Sequence, residues 1–336
     1  MATKTWFLDG PPATIAVAGE AYVRVGYIGG AVVRVVCVGE ALVDFKGTGD
    51  LLFQGYLGGS PYNVAVAIGR LGASVSFLSQ LSTDRFGKLL RRNLEENGVD
   101  ISLLAYSEAP TTLAFVDEVE GEPSFEFLAN QSADTLFDPC PRPRLPEDTG
   151  LIQFGSISLL REPAAGSIFD ILRAHQKAIT VFDPNIRPTL IADRDEYMQR
   201  LPGWIALSRL VKLSRQDLVW LDERPEETVI REWFDLGVRA AVVTHGELGS
   251  RVYLDSGLRA TAPAQAVEVV DTVGAGDTFT GAMLACLADS FAGELPEDEE
   301  SWKRILDIAA KAAALNCGRA GSSPPTRAEL DETLAI

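Results

Sequence analysis

The chain has 336 residues, 46% of them hydrophobic, enough for one large α/β domain or two ordinary ones and too apolar for a disordered protein. A formal net charge of −17 excludes nucleic acid and anionic membrane surfaces as expected partners, so an anionic nucleotide would have to be held by local N–H groups and a few arginines. With two histidines, and four cysteines (Cys37, Cys140, Cys286, Cys317) lacking metal-type spacing, the composition argues against a His or Cys metal site and for reduced thiols in a cytoplasmic protein.

No uninterrupted apolar run reaches the length of a membrane span, and residues 1–33 read as an N-terminal extension without a secretory pattern. Residues 34–43 form a β-branched run that predicts one buried strand. Residues 64–71 predict a buried helix behind Gly58-Gly59-Ser60-Pro61-Tyr62-Asn63, residues 74–80 a second strand, and residues 84–97 an amphipathic helix closed by Gly98. Residues 111–119 and 124–129 alternate around Glu120-Gly121-Glu122-Pro123, as in a hairpin with one wet face.

After a Pro/Arg connector at 139–146, strand-like runs at 151–154, 179–182, 210–213 and 240–244 each lie between helix-like segments. The acidic run 294–300 reads as a solvated approach to a helix. Alternating β and α units predict a parallel sheet covered by helices on both faces, with its site in the loops beyond the carboxyl ends of the strands.

The most informative stretch is Asp271-Thr272-Val273-Gly274-Ala275-Gly276-Asp277-Thr278-Phe279, which opens a helix-like run at 278–287. Unpaired N–H groups at such a helix start can hold a phosphate, and a carboxylate there could deprotonate an alcohol beside it. The same residues also fit a helix N-cap with a glycine turn.

Taken with further blocks in the same order, the chain resembles the PfkB (ribokinase-like) carbohydrate kinase family, and within it the fructokinases. The first of the two diagnostic blocks is Gly58-Gly59-Ser60-Pro61-Tyr62-Asn63-Val64-Ala65-Val66-Ala67, and Asp271 to Phe279 is the second. Between them lie Thr112-Leu113-Ala114-Phe115-Val116, Gly155-Ser156-Ile157-Ser158-Leu159, Asp183-Pro184-Asn185-Ile186-Arg187 and Lys212-Leu213-Ser214. Ala314-Leu315-Asn316-Cys317, Gly321 and Pro324-Pro325-Thr326 complete a match over residues 35–334. Gly19-Glu20-Ala21 and Gly39-Glu40-Ala41 are rival starts for the first strand, and Asp44 follows the later one at the family's spacing.

The resemblance implies a ribokinase-like α/β fold over 34–334, with a central, mostly parallel sheet between helices and a small β lid at 45–57 and 111–130. It implies ATP-dependent phosphorylation of a sugar hydroxyl, D-fructose to fructose 6-phosphate leading, with Asp277 as general base and the amides of Gly274, Ala275 and Gly276 as the anion hole. Asp44, Gly58, Gly59 and Asn63 would meet the sugar, and Arg187, assisted by Asn185, the γ-phosphate or the sugar. Ser214 and Asp217 would order magnesium-bound water, and Thr244, Gly246 and Gly249 the nucleotide phosphates, with adenine against the helix of Ala313 and Asn316. His245, in that loop, is expected to face solvent.

A monovalent cation, potassium in the family, would be held at Asp271, Val273, Asn316, Arg319 and Gly321, although Pro325 stands where some members offer a serine. A homodimer through the lid is a further expectation. The rival readings are a 2-keto-3-deoxygluconate kinase, a nucleoside kinase on the same fold, and a non-catalytic binding relative. The first is disfavoured because Phe125-Glu126-Phe127-Leu128 carries an acid and no arginine where that branch meets a carboxylate.

Overall fold

Strand β1 (Arg34–Val38) stops short of the single run to Val43 that the β-branched pattern predicts. The break is at Gly39, where φ is +149° and a Cβ would lie 2.4 Å from Ser158 Oγ, so no side chain fits and the chain turns out of the sheet. It continues as β2 (Leu42–Gly49) and β3 (Leu52–Gly58), an antiparallel pair outside the main sheet. The computed structural model describes residues 32–49, 51–119 and 122–334, so most of the expected extension, with Gly19-Glu20-Ala21, lies outside the described residues.

Helix α1 (Ser60–Arg70) begins four residues earlier than predicted, with proline in its first turn, where a missing N–H costs nothing. The predicted strand at 74–80 divides into β4 (Val75–Leu78) and β5 (Gln80–Ser82). Helix α2 (Arg85–Glu96) is as predicted: Asp84 caps it by accepting from Gly87 N at 2.8 Å, and Gly98 follows at φ +75°. Strand β6 (Ala105–Ser107) pairs with β5, and β7 (Thr112–Val119) and β8 (Glu122–Leu128) form the predicted hairpin.

The β/α rhythm then runs β9 (Thr149–Gly155), α3 (Ala164–Ala174), β10 (Ile179–Asp183), α4 (Arg194–Ala206) and β11 (Leu210–Ser214). It continues as α5 (Arg215–Leu221), α6 (Glu226–Asp235), β12 (Ala240–Thr244), β13 (Ser250–Leu254) and β14 (Arg259–Ala262). Three helices follow: α7 (Ala275–Ser290), α8 (Glu299–Cys317) and α9 (Arg327–Leu334).

The eight-stranded sheet has the order β14-β13-β12-β11-β10-β9-β1-β4, parallel except where β13 and β14 are added antiparallel. A four-stranded lid sheet, β3-β2-β7-β8, stands apart from it. Period-two alternation divides the core into two layers: Val35 and Cys37 face the layer of α1, α7 and α8, while Val36 and Val38 face that of α3 and α4. Ala240 and Val242 against Ala241 and Val243 repeat the division on β12. Among the described residues no helix is long and apolar enough to cross a membrane.

Candidate active site

The start of α7 is built by backbone geometry. Gly274 is left-handed at φ +74°, and a Cβ on it would lie 2.2 Å from Ser322 Oγ, so glycine alone reaches this turn. The helix starts at Ala275, three residues before the predicted 278. Of the three amides predicted to form an anion hole, that of Ala275 is turned to Thr272 O at 3.2 Å. The N–H groups of Gly274 and Gly276, and that of Asp277, have no partner among the described residues, and the positive end of a 16-residue helix lies behind them.

Asp277 sits on the first turn of α7, 8% exposed. Its Oδ1 accepts from Ser60 Oγ at 2.7 Å and its Oδ2 from Asn63 Nδ2 at 2.8 Å. Both donors come from the first turn of α1, which packs close on α7 because Gly281 has no side chain; a Cβ there would lie 2.6 Å from Ala67 Cβ. The carboxylate is thus fixed in orientation by neutral donors.

The lid brings Asp44 of β2 to the same cleft. Burial lifts its carboxyl to about 6, the Arg187 guanidinium opposing and the Asp277 charge adding to the rise. Gly58 faces it: a Cβ would lie 2.4 Å from Asp44 Oδ2. Gly59, at φ +105°, passes 2.6 Å, by the same measure, from the carbonyl oxygen of Glu40. Arg187 Nη1 donates to Asn185 Oδ1 at 2.7 Å and to Ile186 O at 3.1 Å, and no carboxylate among the described residues is within ion-pair reach of it. Three of the predicted sugar and phosphate residues, Asp44, Arg187 and Asp277, therefore share one electrostatic environment.

Beneath the Gly274-Ala275-Gly276 turn lies a pair that nothing local in the sequence marks. Lys212 Nζ is 3.0 Å from Asp183 Oδ2 with both side chains nearly buried, and it also donates to Gly276 O at 3.3 Å. Thr280 Oγ1 joins the same two acceptors, Asp183 Oδ2 at 3.1 Å and Gly276 O at 3.0 Å. Burial, opposed by Lys212, pushes the Asp183 carboxyl up, and its Oδ1 has no partner. These residues lie inside the quoted Asp-Pro-Asn-Ile-Arg and Lys-Leu-Ser blocks, which was the available signal.

Asp217 and Ser214 form a capping box on α5: Ser214 Oγ is 2.7 Å from Asp217 Oδ2 and accepts from Asp217 N at 3.0 Å. Asp217 Oδ1 accepts from Ile186 N at 2.9 Å, tying this turn to the Arg187 loop. Thr244 ends β12 and donates to Leu213 O at 3.4 Å. Gly246 has a positive φ of +58° with open space around it, while Gly249, at +92°, would meet Ala262 O at 2.1 Å with any Cβ. His245 corrects the expectation of a solvent-facing ring, since its Nε2 is 3.0 Å from Glu226 Oε2 and its side chain is 17% exposed.

Leu248 is exposed on this loop, and Val269 and Val270 are exposed where the chain reaches the C-terminal end of α8, Val270 N donating to Cys317 O at 2.8 Å; Ala313, one turn earlier on α8, is half-buried. Asn316 is fully buried: its Nδ2 donates to Val273 O and its Oδ1 accepts from Ser323 N, each at 2.8 Å, so it pins two loops together. Asp271 accepts from Val273 N and Gly321 N, both at 3.1 Å. Burial works to raise its carboxyl, but these N–H groups and Lys46 hold it below the usual range. Gly321, at φ +66°, lies under the lid residue Tyr56, and Arg319 pairs with Glu329 at 2.6 Å.

Over residues 33–329 the chain matches the pfkB family of carbohydrate kinases. It belongs to that family. A fructokinase of Rhizobium leguminosarum bv. trifolii is 35% identical over 260 residues, 75% of this chain and 79% of that relative. The crystal structure of Xylella fastidiosa fructokinase with bound ATP has a TM-score of 0.81 at 30% identity, over 90% of this chain and 99% of that one. Aminoimidazole riboside kinase from Salmonella enterica, solved with aminoimidazole riboside and an ATP analogue, has a TM-score of 0.79 at 26% identity, over 90% of this chain and 99% of that one.

As a carbohydrate kinase, this molecule offers an oriented carboxylate, unpaired helix-start amides and a lid carrying a second acid. In-line phosphoryl transfer needs little more than positioning and charge stabilisation of this kind. Ser60 and Lys212 are the neighbours of Asp277 and Gly276 that local spacing did not reveal.

Proposed function

We propose that this kinase transfers the γ-phosphoryl group of ATP to the 6-hydroxyl of D-fructose, giving fructose 6-phosphate and ADP. The observation that carries the reading is Asp277, held by Ser60 and Asn63 beside the unpaired amides of Gly274 and Gly276. As the acceptor oxygen bonds to phosphorus, its proton passes to Asp277 and the bond to the leaving ADP oxygen breaks. The amides and Arg187 offset the charge developing on the phosphoryl oxygens. Asp44 accepts from sugar hydroxyls, and the lid excludes water that would otherwise compete as acceptor.

Thr244, Gly246 and Gly249 would meet the nucleotide phosphates, and the exposed apolar residues with Ala313 the adenine, while the buried Asn316 would act behind them by holding its two loops. Magnesium, when bound, would supply positive charge that offsets the phosphates. Asp217, whose oxygens already serve Ile186 and Ser214, suits contact through water, and the unpartnered Asp183 Oδ1 is a second acceptor at that spot. For the monovalent cation, Asp271, Val273, Asn316, Arg319 and Gly321 are assembled in one loop pair, but Lys46 Nζ already stands 3.5 Å from Asp271 Oδ2, a competing charge that argues for weak potassium dependence.

Glu126 is exposed on the edge strand β8, so the case against a sugar acid rests on Asp44 and Asp277 rather than on Glu126. The similarity to a riboside kinase keeps a nucleoside acceptor as the second reading. Exposed Leu51 and Leu52 at β3, and Leu128 on β8, support pairing of two lids in a homodimer, which light scattering would reveal. The four free cysteines support a reducing compartment, the cytoplasm. ATP-coupled turnover on D-fructose, 2-keto-3-deoxygluconate, ribose and adenosine tests the substrate. Fructose is expected to have the highest kcat/KM, and a higher value for any of the others overturns the assignment.

A further inference from the structure

Glu40 occupies the junction where the central sheet gives way to the lid. It follows Gly39 at the end of β1, and it is 3% exposed. The lid is joined to the body at this end by two adjacent segments, residues 39–41 entering β2 and Gly59 leaving β3. Glu40 holds both. Its Oε1 accepts from Ser60 N at 3.1 Å, at the start of α1, and its Oε2 accepts from Ser158 Oγ, which in turn accepts from Glu40 N at 2.9 Å. The glycines on either side are there to permit this: a Cβ on Gly39 would strike Ser158 Oγ, and one on Gly59 would strike Glu40 O.

Ser60 is the residue whose hydroxyl orients Asp277, at 2.7 Å. We propose that Glu40 is a positioning residue for phosphoryl transfer: its carboxylate locks the lid hinge to the central sheet and, through Ser60, sets the orientation of the base Asp277. The chain of contacts is Ser158 to Glu40, Glu40 to Ser60, and Ser60 to Asp277, running from the body of the enzyme through the hinge to the reacting carboxylate. A buried carboxylate at the N-terminus of α1 also meets the positive end of that helix.

The ionisation of Glu40 then has a kinetic consequence. Burial lifts its carboxyl to about 7, with Ser158, its own N–H, Ser156 and Ser60 opposing the rise. The other charged groups facing it are Asp134 and Arg161, which line the same small cavity, and Asp277 beyond Ser60. Below about pH 7 the carboxyl is protonated, its hold on Ser60 N weakens, and the base loses its fixed orientation.

Because the inference rests on Asp277 acting as base, its test is read beside Asp277→Asn. The parent enzyme is expected to show a falling acid limb in kcat near pH 7. Glu40→Gln, which reproduces the protonated side chain, is expected to have at pH 8 a kcat about tenfold below the parent and a flat profile between pH 6 and 8, with the KM for ATP unchanged. Ser60→Ala leaves Glu40 in place but removes the link, and it should flatten the limb as well, which covers a Glu40 variant that fails to fold. A merely structural glutamate would lower the folded fraction at every pH and leave the limb in place. A parent-like limb in Glu40→Gln or Ser60→Ala overturns the proposal if Asp277→Asn is inactive; turnover by Asp277→Asn would instead overturn the base assignment.

Discussion

Lys212→Met isolates the buried pair beneath the Gly274-Ala275-Gly276 turn. The substitution keeps nearly the same volume but removes an ammonium 3.0 Å from Asp183 Oδ2, where the two side chains are 5% and 2% exposed. Breaking a buried pair by removing one partner typically costs about 3–5 kcal/mol, because the remaining charge is left without compensation. In a chain of 336 residues, at about 2.1 cal/mol/K of unfolding entropy per residue, that corresponds to roughly 4–7 °C in Tm. Asp183 already has a raised carboxyl pKa from burial, which Lys212 opposes, so without the lysine it rises further. The unfolded chain ionises in the ordinary range, so the cost in the folded state is relieved as pH falls and Asp183 protonates, and it grows as pH rises. Thermal unfolding of the parent and variant at pH 5.5 and pH 8 reads this directly, with the larger deficit expected at pH 8. The variant also loses the bond from Lys212 to Gly276 O, so kcat should fall more than the KM for either substrate rises. A Tm within about 2 °C of the parent, or a deficit equal at both pH values, would refute the assignment of the pair.

Gly274→Ala places a methyl group at a left-handed residue facing Ser322 and should lower kcat by roughly a hundredfold in a coupled assay while the protein remains folded by circular dichroism. Asp44, lifted to about 6 mainly by burial, should add to kcat/KM for fructose a second acid limb near that pH, below the one set by Glu40; Asp44→Asn should remove this lower limb alone and raise the KM for sugar but not for ATP. Glu40 is lifted from 4.5 to about 7 by burial, so its ionisation costs folding energy, and the parent should lose up to about 3 kcal/mol of stability from this group as pH rises from 4.5 to 7. Denaturant titrations of Glu40→Gln across that range should show a flatter slope than those of the parent.

What was legible in the sequence follows from what is decided locally. The glycine turn at Gly274 and the helix stop at Gly98 are dictated by backbone shape over a few residues, and they stand where predicted. The alternation of strands and helices carried the parallel sheet for the same reason. The split of the run 34–43 was not legible, because Gly39 breaks it through a clash with Ser158, more than a hundred residues away in the chain. Ser60 and Lys212 stood in plain view within quoted blocks, but their partners Asp277 and Gly276 are 217 and 64 residues distant. His245 looked like a loop residue because nothing nearby in sequence marks Glu226 as its partner. Long-range polar pairing between elements is set by packing, such as the contact of Gly281 with Ala67, and that information is spread over the whole chain.

The most direct test of the account is the single-turnover rate of phosphate transfer from ATP to D-fructose by Asp277→Asn, with sugar binding followed by calorimetry on the same sample. Asparagine keeps the size of the side chain but cannot take the acceptor's proton, so fructose should still bind within a few-fold while the transfer rate falls by about a thousandfold or more. Transfer at a rate near that of the parent, with fructose bound, would contradict the claim that Asp277 is the base.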